Sequence, residues 1–316
     1  MIKSAQDIIR AAKKLSSGGV RPRVAVAVAQ DPDVLEAMQS ARDDGICDGT
    51  LFGDEAKIRE LAEKHDILLD GLDVVGLSDP AEAVMAAVEM ADAGRADAIM
   101  KGFVPTSTLL KGVLDRRFHL RAGPTLSHVA VIDVPTYHKL LLMTDGGMVV
   151  KPTVEQKYDI LTNALLVAHA LGINPAKVAL SAAGEAAVKG QPQAEEAAAV
   201  MRTIQERKPA GCEAVGPVGF DLAVSADVAA RSGFSGPVAG DADVFLSGSI
   251  EECNITVKSL VIFAGAIFAG VIVGARVPVS LVSRTDPVIG KKTSLALACL
   301  VADHYRRAAK GGESHG

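Results

Sequence analysis

The chain has 316 residues, 49% hydrophobic and 22% charged, which excludes a disordered polymer and leaves room for two compact domains or one large one. Its formal charge of −5 argues against a nucleic-acid binder, because counterion-driven binding needs a basic surface. Aromatic residues reach only 3% and tryptophan is absent, so the core must be built from Ala, Val, Leu and Ile.

The first residues, Met1 to Lys14, mix charged and apolar positions without the continuous apolar run of a signal peptide. Arg23 to Ala29 is a short apolar run that reads as a buried strand. Asp31-Pro32 then caps and opens a helix with Val34, Leu35, Met38 and Ala41 on one stripe. Strands are expected at Thr50 to Phe52, Leu72 to Leu77 and Ala98 to Gly102. Between them come a helix marked by Ile58, Leu61 and Ala62, and one from Asp79-Pro80 carrying Val84, Val88 and Ala91. Gly94 ends the latter. Repeated strand-helix units of this length imply parallel sheets flanked by helices.

A second series begins with strands at Val129 to Val134 and Leu140 to Thr144. Thr153 and Gln156 have capping-box spacing, and the helix they open runs through Tyr158, Leu161 and Leu165 to Gly172. Further strands are read at Val178 to Ser181, around Ala214 to Gly216, and at Val244 to Leu246. Leu260 to Ala275 is apolar throughout but shorter than a membrane span, so it reads as a buried helix running into a buried strand. Val271 to Val282 suits one or two central strands, and a last helix starts near Thr293, with a frayed tail after Lys310. The expected architecture is α/β: two lobes, 1–129 with 270–316 and 130–269, with the active site in the interlobe cleft. Ligands bind such folds past the C-terminal ends of strands, where Lys101, Asp145, Gly216 and Ser283 are expected.

Four segments carry candidate chemistry. Lys101-Gly102 before Thr106-Ser107 offers a lysine, hydroxyls and free N–H groups for a phosphate, or is an ordinary helix cap with a surface lysine. It is not a P-loop, because the GxxxxGK[ST] spacing is absent. Asp115-Arg-Arg-Phe-His-Leu-Arg121 holds three arginines and a histidine, suiting a polyanion or simply solvated surface. Thr144-Asp145-Gly146-Gly147 lets backbone approach a ligand, or is a tight turn with an Asx cap. Ser283-Arg284-Thr285-Asp286 presents a hydroxyl donor, a fork for phosphate oxygens and a carboxylate, or an Arg-Asp pair closing a strand. His128 reads as core or capping. The four cysteines, Cys47, Cys212, Cys253 and Cys299, have no metal-ligand spacing and read as reduced thiols of a cytoplasmic protein. No metal site is expected.

Taken in order, these segments resemble the phosphate acetyltransferase/phosphate butyryltransferase family, its butyryl branch most closely. The resemblance spans almost the whole chain. It is carried by Lys101-Gly102, Thr106-Ser107, Lys111, Leu126-Ser-His-Val129, Thr144-Asp145 and Glu155-Gln-Lys157, then by Gly216-Pro217 with Asp221. Gly240-Asp-Ala-Asp243, Ile250-Glu251, Asn254-Ile255, Lys258 and Ser283-Arg284 complete it. It implies an isopropylmalate-dehydrogenase-like fold that interconverts acyl-CoA plus phosphate with acyl phosphate plus CoA. Coenzyme A is then a substrate and no cofactor is needed. The chain is expected to be a homo-oligomer built on dimers, binding small molecules and neither nucleic acid nor membrane.

Under the resemblance Ser283 and Arg284 lie in the active site; Asp286, or another carboxylate, must serve if a base is needed, and these three are the catalytic candidates. Lys101, Gly102, Thr106, Ser107, Lys111, Arg121, His128, Thr144, Asp145, Gly146, Asp221, Asp241, Glu251, Asn254 and Lys258 are the substrate-binding ones. Departures from the family pattern stand out. Where it usually has Asp-Ile-Glu-Ala-Gly-Asn, this chain has Ser249-Ile-Glu-Glu-Cys-Asn254. Acetyl-type members carry an aspartate where this chain has Gly290, and a cysteine where it has Gly146. Two other readings remain: a catalytically impaired acyl-CoA-binding subunit, and an NAD-dependent dehydrogenase of a small acid on the same fold. The dehydrogenase needs more metal-binding aspartates than Asp241 and Asp243 supply.

Overall fold

The structure, a computed structural model, describes residues 2–19, 21–184, 190–281 and 286–313. The chain divides into a unit central in sequence, Met1–Ala5 with Pro124–Phe268, and a flanking unit, Gln6–Gly123 with Ala269–Gly316. In chain order the first elements are α1 (Ala5–Ser16), β1 (Arg23–Ala27), α2 (Pro32–Asp43), β2 (Asp48–Gly53), α3 (Glu55–Lys64) and β3 (Asp73–Gly76). Next are α4 (Pro80–Asp92), β4 (Ala98–Lys101) and α5 (Thr106–Val113). The central unit adds β5 (Ser127–Asp133), β6 (Leu141–Thr144), α6 (Val154–Ala170), β7 (Ala176–Ser181), α7 (Pro192–Arg207) and β8 (Cys212–Val218). It continues with α8 (Phe220–Val224), α9 (Ala226–Ser232), β9 (Val244–Leu246) and α10 (Ile250–Ala264). The chain then forms β10 (Ile267–Val273), β11 (Val279–Ser280) and α11 (Val288–Glu313).

In the flanking unit the strand order is β3-β2-β1-β4-β11-β10, parallel except for β10 against β11. Val24 to Ala27 of β1 are wholly buried, as a run apolar on both faces of a parallel sheet must be. The Asp-Pro signals cap as expected: Asp31 accepts from Val34 N at 3.1 Å and Asp79 from Ala81 N at 2.9 Å. The central unit orders its strands β5-β6-β9-β7-β8, with β5 antiparallel to β6 and the rest parallel. Its capping box at Thr153 and Gln156 is complete. Phe245, Met143, Ile132, Val238 and Cys253 lie in its buried core.

Several expectations are corrected. The run from Val271 is broken by Gly274, whose φ of 98° turns the chain before β11; Val282 lies outside the described residues. The final helix begins at Val288, ahead of Thr293, and continues past Lys310. Gly216 lies inside β8 rather than beyond a strand; a Cβ there would sit 2.5 Å from Leu180 Cβ. The apolar stretch from Leu260 is not a buried helix: Phe263 is 88% and Ile262 74% exposed. No helix among the described residues is long and apolar enough to cross a membrane.

Candidate active site

The buried strand β6 ends at Thr144, and the chain turns sharply on Asp145. Thr144 Oγ1 donates to His128 O at 2.9 Å, and Ser247 N donates to Thr144 O at 2.8 Å, tying the ends of β5, β6 and β9 together. One Asp145 oxygen accepts from His128 N at 3.2 Å, Gly147 N at 2.9 Å and Met148 N at 3.1 Å. The other accepts from Val149 N at 3.0 Å. Burial raises the Asp145 pKa above the usual carboxylate range, against the opposing pull of these hydrogen bonds and of the neighbouring His128. The carboxylate is thus spent on holding loop 146–149. Its bonds to Gly147 N and Met148 N make this turn an Asx-type cap.

The loop leans on the first turn of α10. Asn254 Nδ2 donates to Gly146 O at 3.2 Å. Ser249 caps the helix, accepting from Glu252 N at 3.2 Å, so the serine fills a capping role open equally to the aspartate it replaces. Glu252 accepts from Gly248 N at 2.8 Å and from Ser181 Oγ. Lys157, buried in α6, donates to Gly248 O at 2.9 Å and Glu196 at 2.6 Å. Sequence reading missed this clamp around Gly248. Its signal was a lysine on the same stripe as the buried Ile160, Leu161 and Ala164. Glu251, Asn254 and Lys258, at i, i+3 and i+7, share one exposed face of α10.

Thr144, Asp145, Gly146, His128 and Asn254 therefore come together at the C-terminal ends of β6 and β9, the edge where α/β sheets bind ligands. Asp221 follows the end of β8 on the same edge, in the first turn of α8. Asp241 does not join them. It precedes β9, at the opposite edge, where it pairs with Lys139 at 2.8 Å, His138 at 2.7 Å and Lys177. Burial works to raise its pKa, but the hydrogen bonds from Lys139, Lys177 and His138 outweigh it and hold the carboxyl well below the usual range. Asp243 is bound by Lys139 at 2.6 Å and by Lys177 N at 2.8 Å. Both aspartates of the dehydrogenase reading are thus committed to lysines.

In the flanking unit Lys101 ends β4, its Nζ donating to Gly102 O at 3.3 Å. Gly102 is required sterically: a Cβ there would lie 2.1 Å from Val28 O and 2.7 Å from Ala27 O. Val28 itself holds a left-handed φ of 61°, unusual for a β-branched residue, and its carbonyl accepts from Phe103 N at 2.6 Å. Thr106 and Ser107 begin α5 behind Pro105, without a side-chain cap, and Lys111 is exposed on the same helix. Arg121 is a correction: it bridges Ala275 at the N-terminal side of β11, the opposite edge from Lys101. Asp286 lies just before α11, its carbonyl accepting from the buried Lys291 at 2.5 Å, while Lys291 also pairs with Asp33 at 3.1 Å. Ser283 and Arg284 lie outside the described residues.

The family model described as "Phosphate acetyl/butaryl transferase" matches residues 77–299. The phosphate butyryltransferase of Clostridium acetobutylicum is 39% identical over 302 residues, 96% of this chain and 99% of that protein. The phosphate acetyltransferase of Thermotoga maritima is 36% identical over 290 residues, 90% of this chain and 96% of that one. A crystal structure of a branched-chain phosphotransacylase from Enterococcus faecalis V583 superposes with a TM-score of 0.80 at 31% identity, covering 89% of this chain and 99% of that one. These matches make the chain an α/β phosphate acyltransferase. It belongs to the phosphate acetyl/butyryl transferase family.

Proposed function

We propose that the chain interconverts a short-chain acyl-CoA plus phosphate with acyl phosphate plus CoA by direct transfer in a ternary complex, preferring C3–C5 acyl groups over acetyl. The observation that carries this reading is the match along 96% of the chain to a phosphate butyryltransferase. Starting from acyl phosphate, a carboxylate removes the CoA thiol proton, and the sulfur attacks the carbonyl carbon. The C–S bond forms, the bond from carbon to the phosphate oxygen breaks, and phosphate leaves. Ser283 donates to the oxyanion and Arg284 balances the departing charge. Asp286 is the nearest carboxylate in sequence to that pair. Lys101, the hydroxyls of Thr106 and Ser107, and Lys111 supply donors for phosphate groups. CoA serves as substrate and the chemistry needs no further cofactor. Cys253 supports transfer without a cysteinyl intermediate, because burial pushes its thiol up to about 12 and leaves little thiolate at neutral pH.

Phosphate-dependent loss of the thioester absorbance with thiol release is the test, run with acetyl-, propionyl-, butyryl- and isobutyryl-CoA. Butyryl-CoA is expected to exceed acetyl-CoA in kcat/KM, at up to roughly 10-fold per added carbon. A clear acetyl preference refutes the chain-length assignment. Binding of acyl-CoA without thiol release favours the impaired subunit, and turnover only with NAD, a divalent metal and a hydroxy acid favours the dehydrogenase.

A cytoplasmic homo-oligomer built on dimers is part of the same reading. Ile255, Ile262 and Phe263 give α10 an exposed apolar face, which a second copy of the chain would cover. Phe263→Glu is expected to convert a dimer to monomers in light scattering; a monomeric parent protein, or a variant unchanged in mass, removes this face from the assembly.

A further inference from the structure

We propose that residues 146 and 253 form a volume-exchange pair, in which only one position can carry a side chain, and that this pair sets the stance of the Asp145 loop and thereby the acyl preference; the second half rests on the acyltransfer reading above. Gly146 is not a glycine for backbone reasons, since its φ lies outside the left-handed region where glycine is favoured. What forbids a side chain is Cys253. A Cβ at 146 would sit 2.8 Å from its Sγ and 3.4 Å from its Cβ.

Cys253 cannot easily give way. It is fully buried and packs in the core with Met143, Phe245 and Val257, so the thiol is a fixed wall. Nor can the loop retreat without loss. Asn254 holds Gly146 O at 3.2 Å, and Asp145 pins the backbone of Gly147, Met148 and Val149. A methyl group added at 146 must therefore displace the loop or the first turn of α10. Taking the thiol away at 253 opens the space that such a group needs. The two sequence departures, a glycine at 146 and a cysteine at 253, are then one feature. A side chain transferred from the helix to the loop narrows the loop side, where a longer acyl group has more to lose than acetyl.

The test is a double-mutant cycle of Gly146→Ala, Cys253→Gly and the pair, read by thermal midpoint and by the ratio of kcat/KM for butyryl-CoA and acetyl-CoA. Gly146→Ala is expected to lower the midpoint by about 5 °C or more. Adding Cys253→Gly should recover at least half of that loss, although glycine alone weakens a helix. The recovered double variant is expected to shift its acyl ratio toward acetyl by about 3-fold or more. Strictly additive midpoints overturn the packing pair, and coupled midpoints with an unmoved acyl ratio overturn its role in specificity. A parent protein that turns over no acyl-CoA overturns the acyltransfer reading and the specificity half with it, while the thermal cycle still decides the packing half. Should Gly146→Ala fail to fold, recovery of folded protein in the pair supports the coupling, and an unfolded pair beside a folded Cys253→Gly variant refutes it.

Discussion

Asp145→Ala is expected to destabilise the protein by about 2–4 kcal/mol, the penalty for orphaning several backbone donors at once. The carboxylate accepts from His128 N, Gly147 N, Met148 N and Val149 N, and alanine replaces none of these. Four full penalties would over-count, because water can reach Gly147 on the exposed side of the loop. His128 N, inside a buried strand, bears the largest share. Asp145→Asn should cost less: its oxygen can keep the donors on one side, while its amide faces the N–H of Val149. Burial gives a pH signature as well. With the folded pKa raised, the Asp145 contribution is fully present below the unfolded value of 3.8 and is lost as pH rises through the folded one. The parent's advantage over Asp145→Asn in urea midpoint should therefore be larger near pH 4 than at pH 7. An advantage that grows with pH would show that the backbone hydrogen bonds outweigh burial.

What the sequence made legible was local. Apolar runs such as Val24 to Ala27 mark strands buried on both faces, and the Asp-Pro pairs and Thr153 with Gln156 mark helix starts with side-chain chemistry of their own. Strand direction was less accessible. The antiparallel pairing of β5 with β6 follows from a short connection between two apolar runs, a signal that the parallel pattern around it obscured. Asp241 was misplaced although its position was readable: it comes before Val244 to Leu246, and a residue before a parallel strand sits at the edge away from the ligand. Arg121 is harder, because its partner Ala275 is remote in sequence. The contact of Gly146 with Cys253 belongs to the same class. Each residue was singled out alone, but only the packing of α10 on the Asp145 loop joins them. The exposure of Phe263 also escaped, since an apolar helix face looks the same in sequence whether the core or another chain covers it.

Arg284→Ala is expected to leave the thermal midpoint close to that of the parent and to lower kcat/KM by about 10²-fold or more, the effect of removing a charge partner that acts in the transition state. A hundredfold loss corresponds to about 2.7 kcal/mol of barrier. The reasoning is electrostatic. As sulfur adds to the acyl carbon, the phosphate oxygen that leaves takes up negative charge, and a guanidinium can meet two such oxygens with parallel N–H donors. Lysine keeps the charge but not the planar fork, so Arg284→Lys should recover only part of the rate. The pattern within the kinetics separates this role from simple anchoring. Loss of an arginine that only binds the acyl phosphate would raise the KM for acyl phosphate and leave kcat alone, whereas loss of one that stabilises the departing oxygen lowers kcat at saturating acyl phosphate. A folded Arg284→Ala protein with kcat near that of the parent would remove Arg284 from the chemistry, and the charge balance would then have to come from the lysines, with Lys101 the first to replace.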